Sequence, residues 1–175
     1  MSNEPILVRP AMQYKDSFIA AVREYEREGV RPPWNYSILQ DQFDEYIDTV
    51  LAAETQPLAG YVPQSTFWLV VNKQYAGTLD IRHHLTPSLR KFGGHIGYRV
   101  RPTMRRKGYG TLQLKLALPH IWALGIERAL VTCDDDNVGS QKIIEANAGI
   151  LQDKLDNGRS SLTRRYWIDK PKSSN

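Results

Sequence analysis

The sequence predicts a single α/β domain in which helices flank a mixed, mostly antiparallel, twisted sheet. Apolar spacing and turn residues give the element order strand, two helices, three strands, helix, strand, helix, two strands. Strand pairs joined by short turns alternate with strand–helix–strand units, a mixture typical of sheets with both antiparallel and parallel neighbours. The chain has 175 residues, of which 41% are apolar and 24% charged. This is the composition of a globular protein and the size of one domain.

The first half of the chain contains two amphipathic helical patterns followed by a hairpin pattern. Apolar residues recur at helical spacing in both helical segments, and Arg31-Pro-Pro-Trp-Asn35 interrupts regular structure between them. Two apolar, β-branched runs flank Asn72-Lys73, so they predict antiparallel strands joined by a turn. The expected elements are strand 6–10, helices 13–27 and 38–54, and strands 66–71 and 75–81.

The second half begins with a predicted loop over 83–94 and ends with two strands. A long helix over 108–124 is apolar on much of its surface, so it should be mostly buried. Pro119 inside this helix predicts a bend because proline removes one helical hydrogen bond. The remaining expected elements are strands 95–100 and 129–133, helix 137–146, and two strands within 149–168 that turn at Asn157-Gly158.

Composition restricts the location and the class of protein. No apolar run approaches the roughly 18 residues that span a bilayer, and the N-terminus lacks the pattern of a signal peptide. Cys133 is the single cysteine, and its apolar neighbours predict a buried side chain rather than a nucleophile. We therefore expect a cytoplasmic protein without membrane contact. One domain should cover 1–175, with its core at about 5–169 and loose ends.

The most informative segment is Arg105-Arg-Lys-Gly-Tyr-Gly-Thr111, which follows an apolar strand and opens the long helix. Unpaired N–H groups and a partial positive charge make a helix N-terminus favourable for an anion. Gly108 and Gly110 would let a diphosphate approach the backbone, and the basic side chains add charge. The patterns of P-loop and dinucleotide-binding proteins do not fit. A tight turn with solvated basic side chains is the alternative interpretation.

At these residues the chain resembles the GNAT acetyltransferases. Their phosphate-binding signature, Gln/Arg-x-x-Gly-x-Gly/Ala, is Arg105-x-x-Gly108-x-Gly110 here, and Asn137-Val-Gly-Ser140 resembles the start of the family's fourth helix. The resemblance is strong over 93–149 and extends by element order from residue 6.

The resemblance implies that the chain binds acetyl-CoA, without a metal. The CoA diphosphate would lie on the amides of 106–111 and the pantetheine arm along 98–100, with a splay between the fourth strand and the fifth, 129–133, to admit the thioester. Asn137 can equally serve as a plain helix N-cap. The implied CoA-binding residues are Tyr98, Arg99, Val100, Arg105, Arg106, Lys107, Gly108, Tyr109, Gly110, Thr111, Asn137 and Ser140.

The resemblance is incomplete where many GNAT enzymes hold a tyrosine that can protonate the departing thiolate. That position is Ile144 here, as in a subset of acetyltransferases that lack this tyrosine. His83 and His84, which end the preceding strand, are further candidate bases, although a structural role suits each of them better. The main candidate proton-transfer residues are His95, at the start of the strand that should line the splay, Asp134, after the next strand, and Tyr166, on a late strand. Each has a structural alternative, namely a hydrogen-bonded histidine, a polar loop and core packing, respectively.

The first two helices and the loop between them should form the acceptor pocket. Aromatic side chains in this loop and acidic side chains in the second helix would suit a cationic amine, although the acidic residues can equally form the outer face of a helix. Strand alternation directs one of His83 and His84 to the sheet and the other to the solvent. The candidate acceptor residues are Trp34, Asn35, Tyr36 and His83, with Asp41, Asp44 and Glu45 beside them.

Together these patterns predict an acetyl-CoA-dependent N-acetyltransferase that moves the acetyl group to an amine of a small molecule or protein by direct attack on the thioester. A CoA-binding sensor or scaffold without turnover is the alternative, because the usual tyrosine is missing. A nucleic-acid-binding module is a weaker alternative. The net charge is +4 and the bases cluster in one turn, but there is no recognition-helix or RNA-stacking signature. Homodimers are common in the family that the chain resembles, so a homodimer is among the expected assemblies.

Overall fold

The computed structural model describes residues 4–30 and 36–172, and the side chains of 36–38 are outside that description. The helices and strands follow the predicted order, with one additional short helix and one helix divided in two. The elements are β1 (Ile6–Val8), α1 (Lys15–Arg27), α2 (Tyr36–Asp41), α3 (Phe43–Ala52), β2 (Gln64–Val71), β3 (Gln74–Arg82), α4 (Pro87–Phe92), β4 (Ile96–Val100), α5 (Tyr109–Ala123), β5 (Arg128–Asp134), α6 (Val138–Glu145), β6 (Ile150–Leu155) and β7 (Thr163–Asp169).

The strands form one sheet in the order β1-β2-β3-β4-β5-β7-β6. All neighbours are antiparallel except β4 and β5, which run parallel because α5 crosses over between them. At the turn between β2 and β3, Asn72 and Lys73 both have positive φ, as a two-residue hairpin turn requires. The predicted α/β class with a mixed, mostly antiparallel sheet is therefore confirmed.

The parallel pair β4–β5 separates almost as soon as it forms. These strands pair at a single position, Ile96 opposite Val131, whereas β3 pairs with β4 along the whole of 77–81. Beyond Ile96 the edge of β4 that faces β5 is therefore not used in the sheet. This is the predicted splay between the fourth and fifth strands.

Apolar side chains cover both faces of the sheet. On one face, residues of β3, β4 and β5 pack against α5 and α6, with Leu114, Ile121 and Ile144 fully buried. On the other face, α1 and α3 pack on β2 and β3, and Phe18 stacks on Trp68 with ring centroids 4.7 Å apart. The sheet is thus a central layer between two helical layers, and the splay joins the two sides.

The structure corrects two of the predicted elements. The helix expected over 38–54 is interrupted at Gln42, whose φ of −124° and ψ of 41° are not helical. The segment 83–94, predicted as a loop, contains α4, which the Thr86 side chain caps by accepting from the Leu89 N–H and which has proline in its first turn. Helix α5 continues through Pro119, and the bend there stays a prediction.

Candidate active site

In the turn between β4 and α5, no side chain of the described residues covers the backbone at Gly108. Gly108 precedes the helix with φ of 78°, a left-handed conformation that glycine adopts without strain. No atom lies within 4 Å of the place where a Cβ would project. No side chain caps the helix here, so the first N–H groups of α5 remain available to a ligand.

A cavity of 620 Å³ opens in front of this turn, and it extends along β4 to the start of α6. Every CoA-binding residue implied by the sequence, except Lys107, lines this cavity. Gly110 also lets α5 pack closely on α6, because a Cβ there would lie 2.5 Å from the Ile143 side chain. The Asn147 side chain donates to the carbonyl oxygens of Thr111 and Ile143 and holds the two helices in this position.

The basic residues of the turn have different partners. The Arg105 guanidinium forms an ion pair at 2.7 Å with Glu28, the residue that follows α1, and donates to the Val100 carbonyl. It therefore fixes the turn to the first helix. Arg106 and Lys107 are exposed, and of these two only Arg106 lines the cavity, where its charge would face a ligand.

A second cavity, of 490 Å³, lies at the splay and meets the first cavity at Tyr98, Asn137 and Ser140, which line both. The Tyr98 hydroxyl and the Ser140 hydroxyl are 2.6 Å apart. The Asn137 side chain accepts from the Ser140 N–H at 3.0 Å, so it caps α6 and also faces the cavities. Ile144, where many relatives carry tyrosine, is fully buried.

Burial keeps the hydroxyl and thiol groups at this junction protonated. It raises the pKa of Tyr98 to about 12, although the hydrogen bond with Ser140 acts to lower it. Cys133, buried as predicted, also lines the second cavity, and burial raises the pKa of its thiol to about 11. Tyr98 is therefore a hydrogen-bond donor at neutral pH, and Cys133 is not a thiolate there.

His95 lies at the closed end of the splay, where it connects β4 to β5. Its N–H donates to the Leu130 carbonyl at 2.7 Å, and its Nδ1 accepts from the Leu130 N–H at 2.9 Å. The residue is 7% exposed, and burial, assisted by the nearby charges of Arg90 and Arg82, lowers its pKa to about 4. This arrangement favours the structural alternative for His95 over the role of a base.

The other two candidates for proton transfer have contrasting environments. Asp134 is exposed at the end of β5 and lines the second cavity. Tyr166 is fully buried; its hydroxyl donates to Glu145 at 3.1 Å and accepts from Arg164 at 3.2 Å. Tyr166 is not among the described residues that line either cavity, a position that fits its core-packing alternative.

The predicted acceptor residues are only partly within the described chain. Trp34 and Asn35 lie outside it, and Tyr36 is described only as the first residue of α2. His83 is bonded to the Ser65 hydroxyl at 2.7 Å, which in turn donates to Glu54 at 2.9 Å. His83 is therefore part of a polar cluster between β2, β3 and the chain after α3.

The structure also places two charged residues beside β4 that the sequence patterns did not single out, Asp80 and Arg82 of β3. Asp80 pairs with Gly97 of β4 and accepts from the Thr66 hydroxyl at 2.6 Å, and its burial raises its pKa. It lines a third cavity, of 500 Å³, between α3 and the sheet. Arg82 lines the second cavity. The available signal was two charges at alternate positions of an otherwise apolar strand.

A mixed sheet that opens beside a glycine-rich strand-to-helix turn, with two cavities that meet at the opening, is the arrangement expected of a transferase that uses an acyl-CoA. The profile of the acetyltransferase (GNAT) domain matches residues 6–148. The chain therefore belongs to the GNAT acetyltransferases, and it is an acetyl-CoA-dependent N-acetyltransferase by class.

Solved structures with the same fold cover nearly the whole chain at low sequence identity. A complex of coenzyme A with RimL, a ribosomal-protein α-N-acetyltransferase, has a TM-score of 0.68 and 16% identity over 96% of this chain and 95% of that chain. The microcin self-immunity acetyltransferase MccE with acetyl-CoA and AMP has a TM-score of 0.70 and 16% identity over 97% and 94%. RimJ from Mycobacterium smegmatis has a TM-score of 0.70 and 15% identity over 94% and 81%.

A sequence search of curated proteins gives no significant match. Within residues 4–30 and 36–172, no helix has the length and apolar character needed to cross a membrane. The same part of the chain contains no cluster of three or more histidine, cysteine, aspartate or glutamate side chains placed to hold a metal ion.

Proposed function

We propose that this protein transfers the acetyl group of acetyl-CoA to an amine that enters through the 490 Å³ cavity. The observation that carries the proposal is the junction at Tyr98, Asn137 and Ser140, where this cavity meets the 620 Å³ cavity in front of the glycine turn. A cosubstrate on one side of the splay and an acceptor on the other would come together at this junction.

The residues of the first cavity fit a CoA thioester. The amides of 106–111 would bind the diphosphate because Gly108 keeps side chains away from them, and Arg106 would add positive charge. The pantetheine arm would pair with the unused edge of β4 along 98–100, as an added strand does. Bound there, acetyl-CoA supplies the acetyl group and a thiolate leaving group.

The described residues around the junction would assist the two proton movements of the reaction. One of the Tyr98 and Ser140 hydroxyls would donate a hydrogen bond to the sulfur as negative charge develops on it, while the other donates to and polarises its partner. Asp134, the carboxylate among the described residues that line the second cavity, would take the proton of the amine directly or through water. We assign no proton transfer to His95 or Tyr166, since the backbone and side-chain bonds described above engage both.

The acceptor, the homodimer, the cytoplasmic location and the low affinity for nucleic acid stay predictions. The proteins with the same fold differ in their acceptors, so their names support the reaction but do not identify the amine for this chain. A CoA-binding protein without turnover differs from the proposed enzyme in one measurable property, since it would bind acetyl-CoA and release no CoA.

Thermal unfolding with and without acetyl-CoA tests the cosubstrate site. Acetyl-CoA at about 100 times its dissociation constant should stabilise the protein by about 2.7 kcal/mol. Gly108→Asp should lose this shift because it puts a carboxylate and a side chain where the diphosphate would lie. Gly125→Asp is the matched control, since Gly125 also has φ of 78° and open space around it, at the other end of α5.

Two results would contradict the proposal. One is a folded wild-type protein whose melting temperature does not change at millimolar acetyl-CoA. The other is an equal loss of the shift in both aspartate variants, which would mean that the substitutions act on the fold rather than on the site. A shift that Gly108→Asp alone abolishes, followed by CoA release with an amine, would support the enzyme.

A further inference from the structure

The second cavity contains a guanidinium group whose binding capacity is only partly used. Arg82, the last residue of β3, projects over β4 at Gly97, where the absence of a side chain leaves room for it. Its NH2 nitrogen would be 3.5 Å from a Cβ at that position. Its other nitrogen, NH1, donates to the carbonyl oxygens of Gly93 and Gly94 at 3.0 and 3.1 Å. One side of the group is thus anchored, and the other lies at the splay.

Arg82 has no carboxylate within ion-pair distance in the described part of the chain. By contrast, Arg101, Arg164 and Arg165, which are also partly buried, each contact a carboxylate. Asp80 lies two positions away on the same strand and attracts the Arg82 charge, but it forms no ion pair with Arg82, and its Oδ1 accepts from the Thr66 hydroxyl. Burial lowers the pKa of Arg82, which is the sign of a charge that has lost water without full compensation.

The second cavity therefore has charges of opposite sign that suit a zwitterion. Arg82 and Arg159 contribute positive charge and Asp134 contributes negative charge. The junction with the cosubstrate cavity, at Tyr98 and Ser140, fixes where a reacting amine must be placed. An acceptor that carries a carboxylate beside its amine would supply the anion that Arg82 lacks, while its amine points to the junction.

We propose that the acceptor is a small amine with a carboxylate, such as an amino acid, and that Arg82 binds this carboxylate. The proposal rests on the acetyltransferase function proposed above and names its class of substrate. A guanidinium and a carboxylate form paired, charge-assisted hydrogen bonds, so Arg82 would both hold the acceptor and orient it. In this role Arg82 is a substrate-binding residue that takes no part in proton transfer.

The test compares L-amino acids with their C-terminal amides, which keep the amine and lose the carboxylate, by measuring CoA release. We expect the wild type to prefer the acid of at least one pair. Arg82→Met should lower kcat/KM for that acid by about 10- to 100-fold, the range for a lost bond to a charged group. The same substitution should change kcat/KM for the amide by less than about twofold, because the amide has no carboxylate to pair with the lost charge. Arg90→Met removes an exposed guanidinium of α4 that does not line the cavity, so it should leave kcat/KM unchanged for both substrates.

Three outcomes would overturn the proposal. In the first, the wild type does not prefer any acid over its amide. In the second, Arg82→Met lowers kcat/KM equally for the acid and the amide, as expected if Arg82 only supports α4. If no amine releases CoA, calorimetric titration of the same acids and amides into the CoA-bound protein takes the place of turnover, and absence of Arg82-dependent acid binding overturns the proposal. If acetyl-CoA does not raise the melting temperature of the wild type, the proposed function itself is rejected, so the two failures are distinguishable.

Discussion

The two sides of the splay are built in different ways. The side that we propose for the cosubstrate is formed largely by one continuous segment, β4 and the turn into α5, and the groups it would offer a ligand are mostly backbone. The side that we propose for the acceptor is assembled from β3, α4, the end of β5 and the segment before β7, and its distinctive groups are side chains such as Arg82 and Asp134. On this proposal the cosubstrate site is local in sequence, while the acceptor site depends on contacts between distant segments.

The two sides are also held in place by different interactions. On the cosubstrate side, Glu24 in the last turn of α1 and Glu28 just after it form ion pairs with Arg101 and Arg105, which flank the first part of the turn. On the acceptor side, α4 is held through backbone carbonyls, which accept from Arg82 and from Arg165. Substitutions at these connections should change the free energy of unfolding, whereas substitutions of the groups that face the cavities should change the rate of the reaction.

The largest expected effect is on the ion pair of Glu24 and Arg101, the least exposed ion pair of the described residues. The Arg101 and Glu24 side chains are 12% and 13% exposed, and Glu24 also accepts from the N–H and hydroxyl of Thr103. Glu24→Gln should lower the free energy of unfolding by about 3 kcal/mol, because it leaves the Arg101 charge buried and uncompensated. Glu28→Gln, the matched control at an exposed pair, should cost less than about 1 kcal/mol. Urea unfolding measures both, and equal losses would contradict the difference.

The same pair predicts a pH dependence. Burial acts to raise the pKa of Glu24, but the bonds from Arg101 and Thr103 outweigh it and hold the pKa below its ordinary value of 4.5. A depressed pKa contributes stability that is present above the unfolded-state value and is lost as the pH falls through the folded-state value. The wild type should therefore lose stability below pH 4.5 more steeply than Glu24→Gln does. Parallel curves would show that other carboxylates dominate.

The contrast between the two sides also explains what could be predicted from sequence. The glycine turn was predictable because its requirements, a left-handed residue before an apolar helix with basic neighbours, fall within a few consecutive positions. Helix α4 carried a local signal, Thr86 before Pro87, but it is too short to show a periodic pattern. For Arg82 the local signal was only a charge at an alternate strand position, and its place over Gly97 follows from the pairing of β3 with β4.

The closed end of the splay offers a second way to test the acceptor side. Gly94 has φ of 64°, and a Cβ there would clash with the carbonyl oxygen of Leu130, the residue that His95 also contacts. Gly94→Ala should lower the free energy of unfolding by about 2–3 kcal/mol, from backbone strain and forced separation of β4 from β5. Gly125→Ala, at a similar φ in open space, should cost about 1 kcal/mol from strain alone. Equal losses in thermal or urea unfolding would show that packing at the closed end contributes nothing.

The smallest expected change in free energy lies at the junction where the two sides meet. Tyr98 and Ser140 share a hydrogen bond of 2.6 Å between the cavities, and neither hydroxyl is needed to build the cosubstrate cavity itself. Tyr98→Phe and Ser140→Ala should each lower kcat by about 10- to 100-fold while the acetyl-CoA thermal shift is retained, because a lost donor to the leaving sulfur affects the transition state more than binding.

The double variant at this junction decides whether the two hydroxyls act together. If Ser140 donates to the sulfur while Tyr98 polarises it, removing both should cost little more than removing one. Fully additive losses would mean that each hydroxyl contacts the thioester by itself. An unchanged kcat in both single variants would mean that neither hydroxyl is the donor to the leaving sulfur. The leaving thiolate would then be stabilised by backbone N–H groups of β4, the same groups that the cosubstrate side already provides.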